Sequence, residues 1–493
     1  MTAKTLSKKV EFGDFQTPPA LAAAVCRQLY RSGVRPAAVL EPTCGVGGFL
    51  VAAADRFGPG AALRGYEIDP AHARRAAAAA ARCGNASSVA AADFFETDWG
   101  AVVAGLPEPF LILGNPPWVT NSALAAGGGR NVPQKFNADR LRGIEAITGR
   151  ANFDICESVL RRLLGAAHRR RGTLAMLCKS AVARKALAFA WAHDLQIGEA
   201  ALHRLDAVRH FGASVDAVLL TVRFGAGPGR AEAAVYENIG DSIPERRIGW
   251  ADGRLVADAA AYERCAGVRG GDVPWRSGVK HDAARVMELT PDGGTGDSYR
   301  NGFGDRVELE PEHLFPMCKS SDVAAGRGPS RFMLVPQRHT GEDTAAVARR
   351  APKTWAYLNR HADRLAARRS SIYRGRPPFS VFGVGDYTFT PWKVAVSGFY
   401  KSPRFRVAGP ADGKPVVFDD TVYFLPFEAE AEARGAAEAL QSPAARDYFA
   451  AHLFPDAKRP LTAGLLRGLD LRRLGVRGLP APPGRGQRRL WGE

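Results

Sequence analysis

Residues 110–121 read F-L-I-L-G-N-P-P-W-V-T-N, and no other stretch restricts the fold as tightly. Phe110 to Leu113 is a short unbroken apolar run, the pattern of a strand buried on both faces of a parallel sheet. Two consecutive prolines cannot continue a ladder, because neither has an N–H to donate and both fix φ. The chain therefore leaves the sheet at Asn115, at the carboxyl end of the strand, which is the edge where open α/β sheets bind ligands. The loop is stiff and carries one carboxamide and one large aromatic face. The amide oxygen of Asn115 and the carbonyl of Pro116 can accept from a planar amino group, and the indole of Trp118 can stack on its ring. A proline-stiffened turn over a core tryptophan gives the same local pattern, so the rest of the chain has to decide.

The residues before this loop alternate strand and helix. Thr17 is suited to cap a helix with Pro18 at its first position, running to about Tyr30. In A-A-V-L-E-P-T-C-G-V-G-G-F-L, Ala37 to Leu40 is a buried strand, and Gly45, Gly47 and Gly48 turn tightly into a helix. No G-K-[ST] follows, which excludes a P-loop, and the spacing is not G-x-G-x-x-G. Leu63 to Ile68 predicts a second strand ending in Glu67, about 20 residues past the glycines, where a carboxylate grips a ribose diol. A solvated strand end has the same pattern. The alanine-rich segment from His72 to Arg82 is a helix by propensity. A third strand ends at Ala92, and Asp93-Phe94 after it offers an acid for an amino group and a ring to cover another, or simply an exposed turn.

At 493 residues the chain exceeds what one core supports and predicts two or three domains. A net charge of +17 points to a polyanion, nucleic acid first, although Arg is abundant throughout. Local clustering is sharper. Arg331 to Arg406 holds 15 Lys+Arg against 4 Asp+Glu, interleaved with Trp355, Tyr373, Phe379, Phe382, Tyr387, Phe389, Trp392, Phe399 and Tyr400. Basic side chains among aromatics form a nucleic-acid surface, and Arg368, Arg369, Arg374 and Arg376 are the candidate backbone contacts. Cys26, Cys44, Cys83, Cys156, Cys178, Cys265 and Cys318 are scattered without a C-x-x-C pair, which predicts reduced thiols and no metal site. With no apolar signal core and no membrane-length run, the expected location is the cytoplasm.

In the order Thr17-Pro18, E-P-T-C-G-V-G-G-F, Y-E-I-D, D-F, N-P-P-W, the chain resembles the S-adenosylmethionine-dependent DNA adenine-N6 methyltransferases. It is most similar to those whose cofactor motifs come first and whose target-recognition domain is C-terminal. The resemblance runs motif by motif over about residues 10–225 and is architectural beyond. It implies an α/β fold: a Rossmann-like seven-stranded sheet with helices on both faces, plus a C-terminal α+β DNA-recognition domain. It further implies a catalytic domain over 1–230, a connecting region over 231–290 and a recognition domain over 291–493. The implied cofactor is S-adenosyl-L-methionine and the implied partner is double-stranded DNA; the implied role is either restriction–modification, with a cognate restriction endonuclease, or orphan methylation.

At matching positions, the resemblance places Thr17 and Pro18 near the cofactor's amino-acid end and Glu41, Gly45 and Gly47 along its methionine. Glu67 would hold the ribose, Ile68 would lie beside the adenine, and Asp93 and Phe94 would contact its amino group and ring. Asn115 and Pro116, stiffened by Pro117, would accept from the target amino group, and Trp118 would stack on the flipped base. Phe153 would pack on the cofactor unless it is a core residue. Phe211 would sandwich the base, or it is a core residue before a strand. N-P-P-[YFW] also occurs in protein-glutamine and some rRNA methyltransferases. An RNA or glutamine methyltransferase therefore remains an alternative, disfavoured by the basic C-terminal half, as does a non-catalytic DNA-binding protein, disfavoured by the intact motif set.

Overall fold

The computed structural model of the chain describes residues 16–118 and 154–480, apart from 226, 228, 294–297 and 458. It divides into two compact units, Met1–Ala259 and Ala260–Glu493. Phe153 lies outside the described residues.

The first unit is built on one ten-stranded sheet. In chain order its elements are α1 (Pro19–Arg31), β1 (Ala38–Glu41), α2 (Gly48–Phe57), β2 (Ala62–Glu67), α3 (Pro70–Ala81), β3 (Ser87–Ala91), α4 (Trp99–Ala104) and β4 (Phe110–Gly114). There follow α5 (Ile155–Ala167), β5 (Gly172–Lys179), α6 (Ser180–Ala192), β6 (Ile197–Leu205), α7 (Ala207–Phe211), β7 (Ala217–Phe224), β8 (Glu232–Tyr236), β9 (Arg246–Ala251) and β10 (Arg254–Val256). The strand order is β3-β2-β1-β4-β5-β7-β6, continued by β8-β9-β10. Strands β1 to β5 are parallel, and β7 runs antiparallel to both β5 and β6. This is the doubly wound, Rossmann-like arrangement expected from the motif order.

Every residue of β1 and β4 is buried, as two-sided coverage demands. On one face Val39, Leu63, Leu111, Leu113, Ala175, Leu177 and Leu219 pack with Leu21, Val25 and Leu29 of α1, Phe49 and Leu50 of α2, and Ala76 and Ala80 of α3. The alternate residues, among them Leu40, Ile112, Leu174 and Met176, are equally buried and turn to the other face, where α5 and α6 pack.

Two details depart from expectation. Helix α1 begins at Pro19, not Pro18, and Pro18 stands outside it at ψ 136° without a side-chain cap. The residue before a proline is driven out of the helical region, so the second proline moves the start by one and leaves Thr17 with no capping role. The sheet also continues past residue 230: β8 pairs parallel to β6, and β9 and β10 follow as antiparallel strands. Residues 232–256, expected within a connecting region, are thus part of the first unit's sheet.

The second unit is α+β. A six-stranded sheet, ordered β14-β13-β12-β16-β15-β19, comprises β12 (Glu288–Pro291), β13 (Ser298–Arg300), β14 (Arg306–Glu308), β15 (Leu314–Cys318), β16 (Arg331–Leu334) and β19 (Val417–Phe418). A four-stranded sheet, β11-β20-β17-β18, comprises β11 (Arg276–Ser277), β17 (Trp392–Ser397), β18 (Arg406–Ala408) and β20 (Val422–Phe427). The first core gathers Met287, Leu289, Met317, Met333, Leu358 and Val381, and the second Val323, Ala395, Phe418, Val422 and Phe424. Among the described residues no helix is long and apolar enough to cross a membrane.

Candidate active site

Parallel pairing brings the carboxyl ends of β1 to β5 to one edge. At that edge the turn after β1 is held by three contacts. Cys44 N–H donates to the Tyr66 carbonyl at 2.8 Å, Gly47 N–H to the Cys44 carbonyl at 2.8 Å, and Gly45 N–H to Glu67 Oε2 at 2.8 Å. Gly45 and Gly47 have φ of +53° and +86°, the left-handed region that a side chain resists. The segment before α1 crosses this turn. A Cβ on Gly45 would lie 2.7 Å from Gln16 Oε1, and one on Gly48 3.7 Å from the Thr17 carbonyl. Gln16, which sequence reasoning passed over although it adjoins Thr17, also accepts from Val46 N–H at 3.4 Å.

Glu41 is 3% exposed, and its Oε2 has no hydrogen-bond partner among the described residues. Burial first, and the Glu67 carboxylate second, push its pKa well above the usual range, against a hydrogen bond from the Leu50 backbone. Thr43 Oγ1 is likewise buried without a partner. Glu67 uses both carboxylate oxygens locally, accepting from Gly45 N–H and, through Oε1, from Asp69 N–H at 3.0 Å. Asp69 caps α3 through the N–H groups of Ala71 and His72. Ile68 is exposed beside them.

Asp93, at the end of β3, accepts from Phe95 N–H at 2.7 Å. Phe94 differs from expectation. Its ring is 6% exposed and stacks on Trp99 at 4.6 Å and 28°, while Trp99 Nε1 donates to the Phe94 carbonyl at 2.8 Å. A large apolar ring beside an indole gains more from burial than from standing at a solvent edge.

Asn115 and Pro117 are half-buried and Pro116 is buried, directly after β4. The β4–β5 ladder ends at Gly114 opposite Met176, because the prolines have no N–H to extend it. The next β5 carbonyls are used differently: Trp118 Nε1 donates to the Leu177 carbonyl at 3.3 Å. Lys179 Nζ donates to the Trp118 carbonyl at 2.9 Å and to Asp154 Oδ2 at 2.7 Å. Phe211, from the loop between β6 and β7, meets Trp118 edge to face at 5.1 Å. The structure thus brings together Asn115, Pro116, Trp118 and Phe211 at the edge where Glu41, Gly45 and Glu67 also end. Lys179 was missed, although a lone charge closing the apolar strand G-T-L-A-M-L-C-K was visible.

In the second unit the four arginines separate. Arg368 is half-buried; it donates to the carbonyls of Leu365 (2.7 Å), His281 (3.2 Å) and Ser380 (2.8 Å) and covers the Tyr373 ring. Its guanidinium is engaged in holding the loop. Arg369, Arg374 and Arg376 are exposed. Of the nine interleaved aromatics, only Phe399 and Tyr400 are largely exposed, at 40% and 47%.

No family model matches the chain. It is 40% identical over 468 residues to the type II methyltransferase M.NspV of Nostoc sp. (strain ATCC 29411 / PCC 7524), covering 94% of this chain and 97% of that protein. The chain belongs to the type II methyltransferases. It is a DNA methyltransferase of the restriction–modification kind, and its methyl donor is S-adenosylmethionine. Among solved structures, the methyltransferase resembles the type IIL restriction-modification enzyme MmeI, determined in complex with DNA. The TM-score is 0.51 at 15% identity, over 94% of this chain and 65% of MmeI, so the chain spans about two thirds of that protein. The M protein of the type I restriction enzyme EcoKI matches with a TM-score of 0.29 at 15% identity, over 45% of this chain and 48% of that one.

The pocket edge of the methyltransferase fits its donor. A buried carboxyl with an oxygen to spare, a buried hydroxyl and a left-handed glycine turn that excludes side chains form a cradle for a polar, cationic amino-acid group.

Proposed function

We propose that this methyltransferase modifies the N6 amino group of adenine at a specific site in duplex DNA, in the cytoplasm, paired with an endonuclease of the same specificity. The observation that carries the proposal is the stiff N-P-P-W loop, with a carboxamide and an aromatic face set at the cofactor edge. Glu41, Gly45, Gly47 and Thr43 would hold the amino-acid end of S-adenosylmethionine, Glu67 its ribose and Asp93 its adenine amino group. The cofactor supplies an electrophilic methyl group. An adenine in a duplex has to leave the stack to arrive there. Trp118 and Phe211 receive its ring. Asn115 Oδ1 and the Pro116 carbonyl would accept the two N–H groups, drawing the nitrogen lone pair out of ring conjugation; as nitrogen bonds to the methyl carbon the carbon–sulfur bond would break, its electron pair staying on sulfur as a neutral thioether, and the proton of the resulting cationic amine would pass to solvent. These are preorganised acceptors aimed at developing positive charge. A covalent cysteine has no part in this: Cys44, in the glycine turn, is buried, and burial and then Glu41 push its thiol up.

The unit Ala260–Glu493 would supply DNA affinity and site choice, through phosphate contacts from Arg369, Arg374 and Arg376. The test is nucleoside mass spectrometry and modified-base sequencing of DNA from cells expressing the chain or its Asn115→Ala variant. N6-methyladenine at one sequence, lost in the variant, is the expected result. N4-methylcytosine, or methylation confined to RNA or protein, overturns the assignment.

A further inference from the structure

Lys179 closes β5, whose other residues are all buried, at the ligand edge. Its ammonium makes two bonds that join residues distant in sequence: 2.9 Å to the Trp118 carbonyl and 2.7 Å to Asp154 Oδ2. Asp154 is itself fixed, because its Oδ1 accepts Cys156 N–H at 3.1 Å and caps α5. The side chain of Asp154 is only 9% exposed and that of Lys179 25%, so the pair is shielded from the screening that weakens surface ion pairs. Trp118 is thus held to one strand at two points, its indole N–H on Leu177 and its main-chain oxygen on Lys179. The carbonyl of Leu177 is taken by the indole because the ladder to β4 stops at Gly114.

We infer that Lys179, backed by Asp154, is a positioning residue for methyl transfer, which fixes Trp118 as a rigid wall for the target base. This rests on the proposed role of Trp118 as the stacking partner. A charge-assisted bond to a main-chain carbonyl orients the indole without touching substrate, so removing it leaves the cofactor cradle intact while loosening the surface on which the base lands. A lysine that merely stabilised the sheet would, when replaced, lower stability and all ligand affinities together.

The test uses the full chain and a duplex carrying 2-aminopurine at the methylated position. Wild type, Lys179→Met, Lys179→Arg, Asp154→Asn and Trp118→Ala are compared for S-adenosylmethionine affinity by calorimetry, for 2-aminopurine fluorescence on binding, and for kcat and KM on DNA. Lys179→Met should keep cofactor affinity within about twofold and lower the base-capture signal and kcat by about 10- to 100-fold, the range for loss of one hydrogen bond to a charged group. Lys179→Arg, which keeps charge and donors, should recover most of the loss. The inference is overturned if Lys179→Met retains wild-type fluorescence and kcat. It is equally overturned if cofactor affinity falls in parallel and arginine gives no rescue. Should Lys179→Met fail to fold, Asp154→Asn, which keeps the cap on α5, decides by the same readouts. A sensitive Trp118→Ala beside an insensitive Lys179→Met removes only the lysine's role, whereas an insensitive Trp118→Ala removes the N-P-P-W assignment itself.

Discussion

Trp118 and Phe211 meet edge to face at the ligand edge, with ring centroids 5.1 Å apart and planes at 70°. A base stacked between two rings needs about 3.5 Å on each side, roughly 7 Å in all, so one ring has to yield. Trp118 is bonded to β5 at its ring and main chain. Phe211 ends the five-residue helix α7 and is followed by the left-handed Gly212, so on the proposed role Phe211 would be the ring to move. Trp118→Ala should cost about 1–3 kcal/mol of base capture. Phe211→Ala should cost less, since its removal also spares the displacement. Titration of a 2-aminopurine duplex measures both.

Glu67 holds the glycine turn, and in the proposed function it also holds the cofactor's ribose. Glu67→Ala frees the Gly45 and Asp69 amides that its two oxygens hold, and would remove the proposed ribose contact. Cofactor affinity should fall by about 10- to 100-fold, the equivalent of one or two hydrogen bonds to a charged group. Glu67→Gln, with one acceptor oxygen, should fall between the two, and DNA affinity should hold. Calorimetry with S-adenosylmethionine and gel shifts with DNA separate these effects.

The two left-handed glycines should respond unequally. A Cβ at Gly45 meets the flexible end of Gln16, which can move aside. A Cβ at Gly47 lies 3.1 Å from the Ala76 Cα, which cannot move without α3. Both substitutions carry a left-handed penalty of about 1–2 kcal/mol. Gly47→Ala should therefore lower the thermal midpoint more, and lose cofactor affinity with it.

Arg368 and its neighbours are separable by salt. Arg369→Ala, Arg374→Ala and Arg376→Ala should each reduce the log–log salt slope of DNA binding by about 0.9 per lost phosphate contact. Arg368→Ala should leave that slope unchanged and lower stability instead, because its three main-chain acceptors lose their donor. Anisotropy titrations at several salt concentrations, with thermal melts, test the division.

Lys393, the second residue of β17, is 1% exposed, and its ammonium donates to the Thr390 carbonyl at 2.6 Å. Burial lowers its pKa from 10.5 to about 7, against the Glu428 carboxylate, which raises it. The folded value lies below the unfolded one, so between about pH 7 and 10.5 the unfolded chain binds more protons and stability rises with pH. The rise should amount to roughly 3–5 kcal/mol. Lys393→Met should flatten it and unfold at higher urea than wild type near pH 6.

Strands β1 to β4 were legible in the sequence within a residue or two. Their signals are local: an apolar run such as Phe110 to Leu113, ended by glycine or proline chemistry that permits one outcome. The N-P-P-W loop and Glu67 were legible for the same reason. The continuation through β8, β9 and β10 was not, because Gly225 to Arg230 reads as a break, and only long-range pairing of Ala200 with Ala233 shows that the chain returns to the same sheet. Phe94 and Arg368 show the other limit. An aromatic beside an acid, and an arginine in a basic run, have the right chemistry for a ligand. Their use is decided by Trp99 in one case and by the carbonyls of Leu365, His281 and Ser380 in the other.

Because β7 runs against its neighbours, the loop joining β6 to β7 returns to the same edge as the carboxyl ends of β1 to β5. An all-parallel sheet reaches that edge only through crossover connections that bring a whole helix with them. Here residues 206–216 turn back at that edge with only the five-residue helix α7, and bring Phe211 to Trp118. Phe211 nevertheless packs, with Trp118, against the same core as Cys44, Phe49 and Leu50. If Phe211 receives the target base as proposed, a change in the span 206–216 would alter the surface the base meets while the residues of the glycine turn and Glu67, which lie on other loops, keep their own hydrogen bonds.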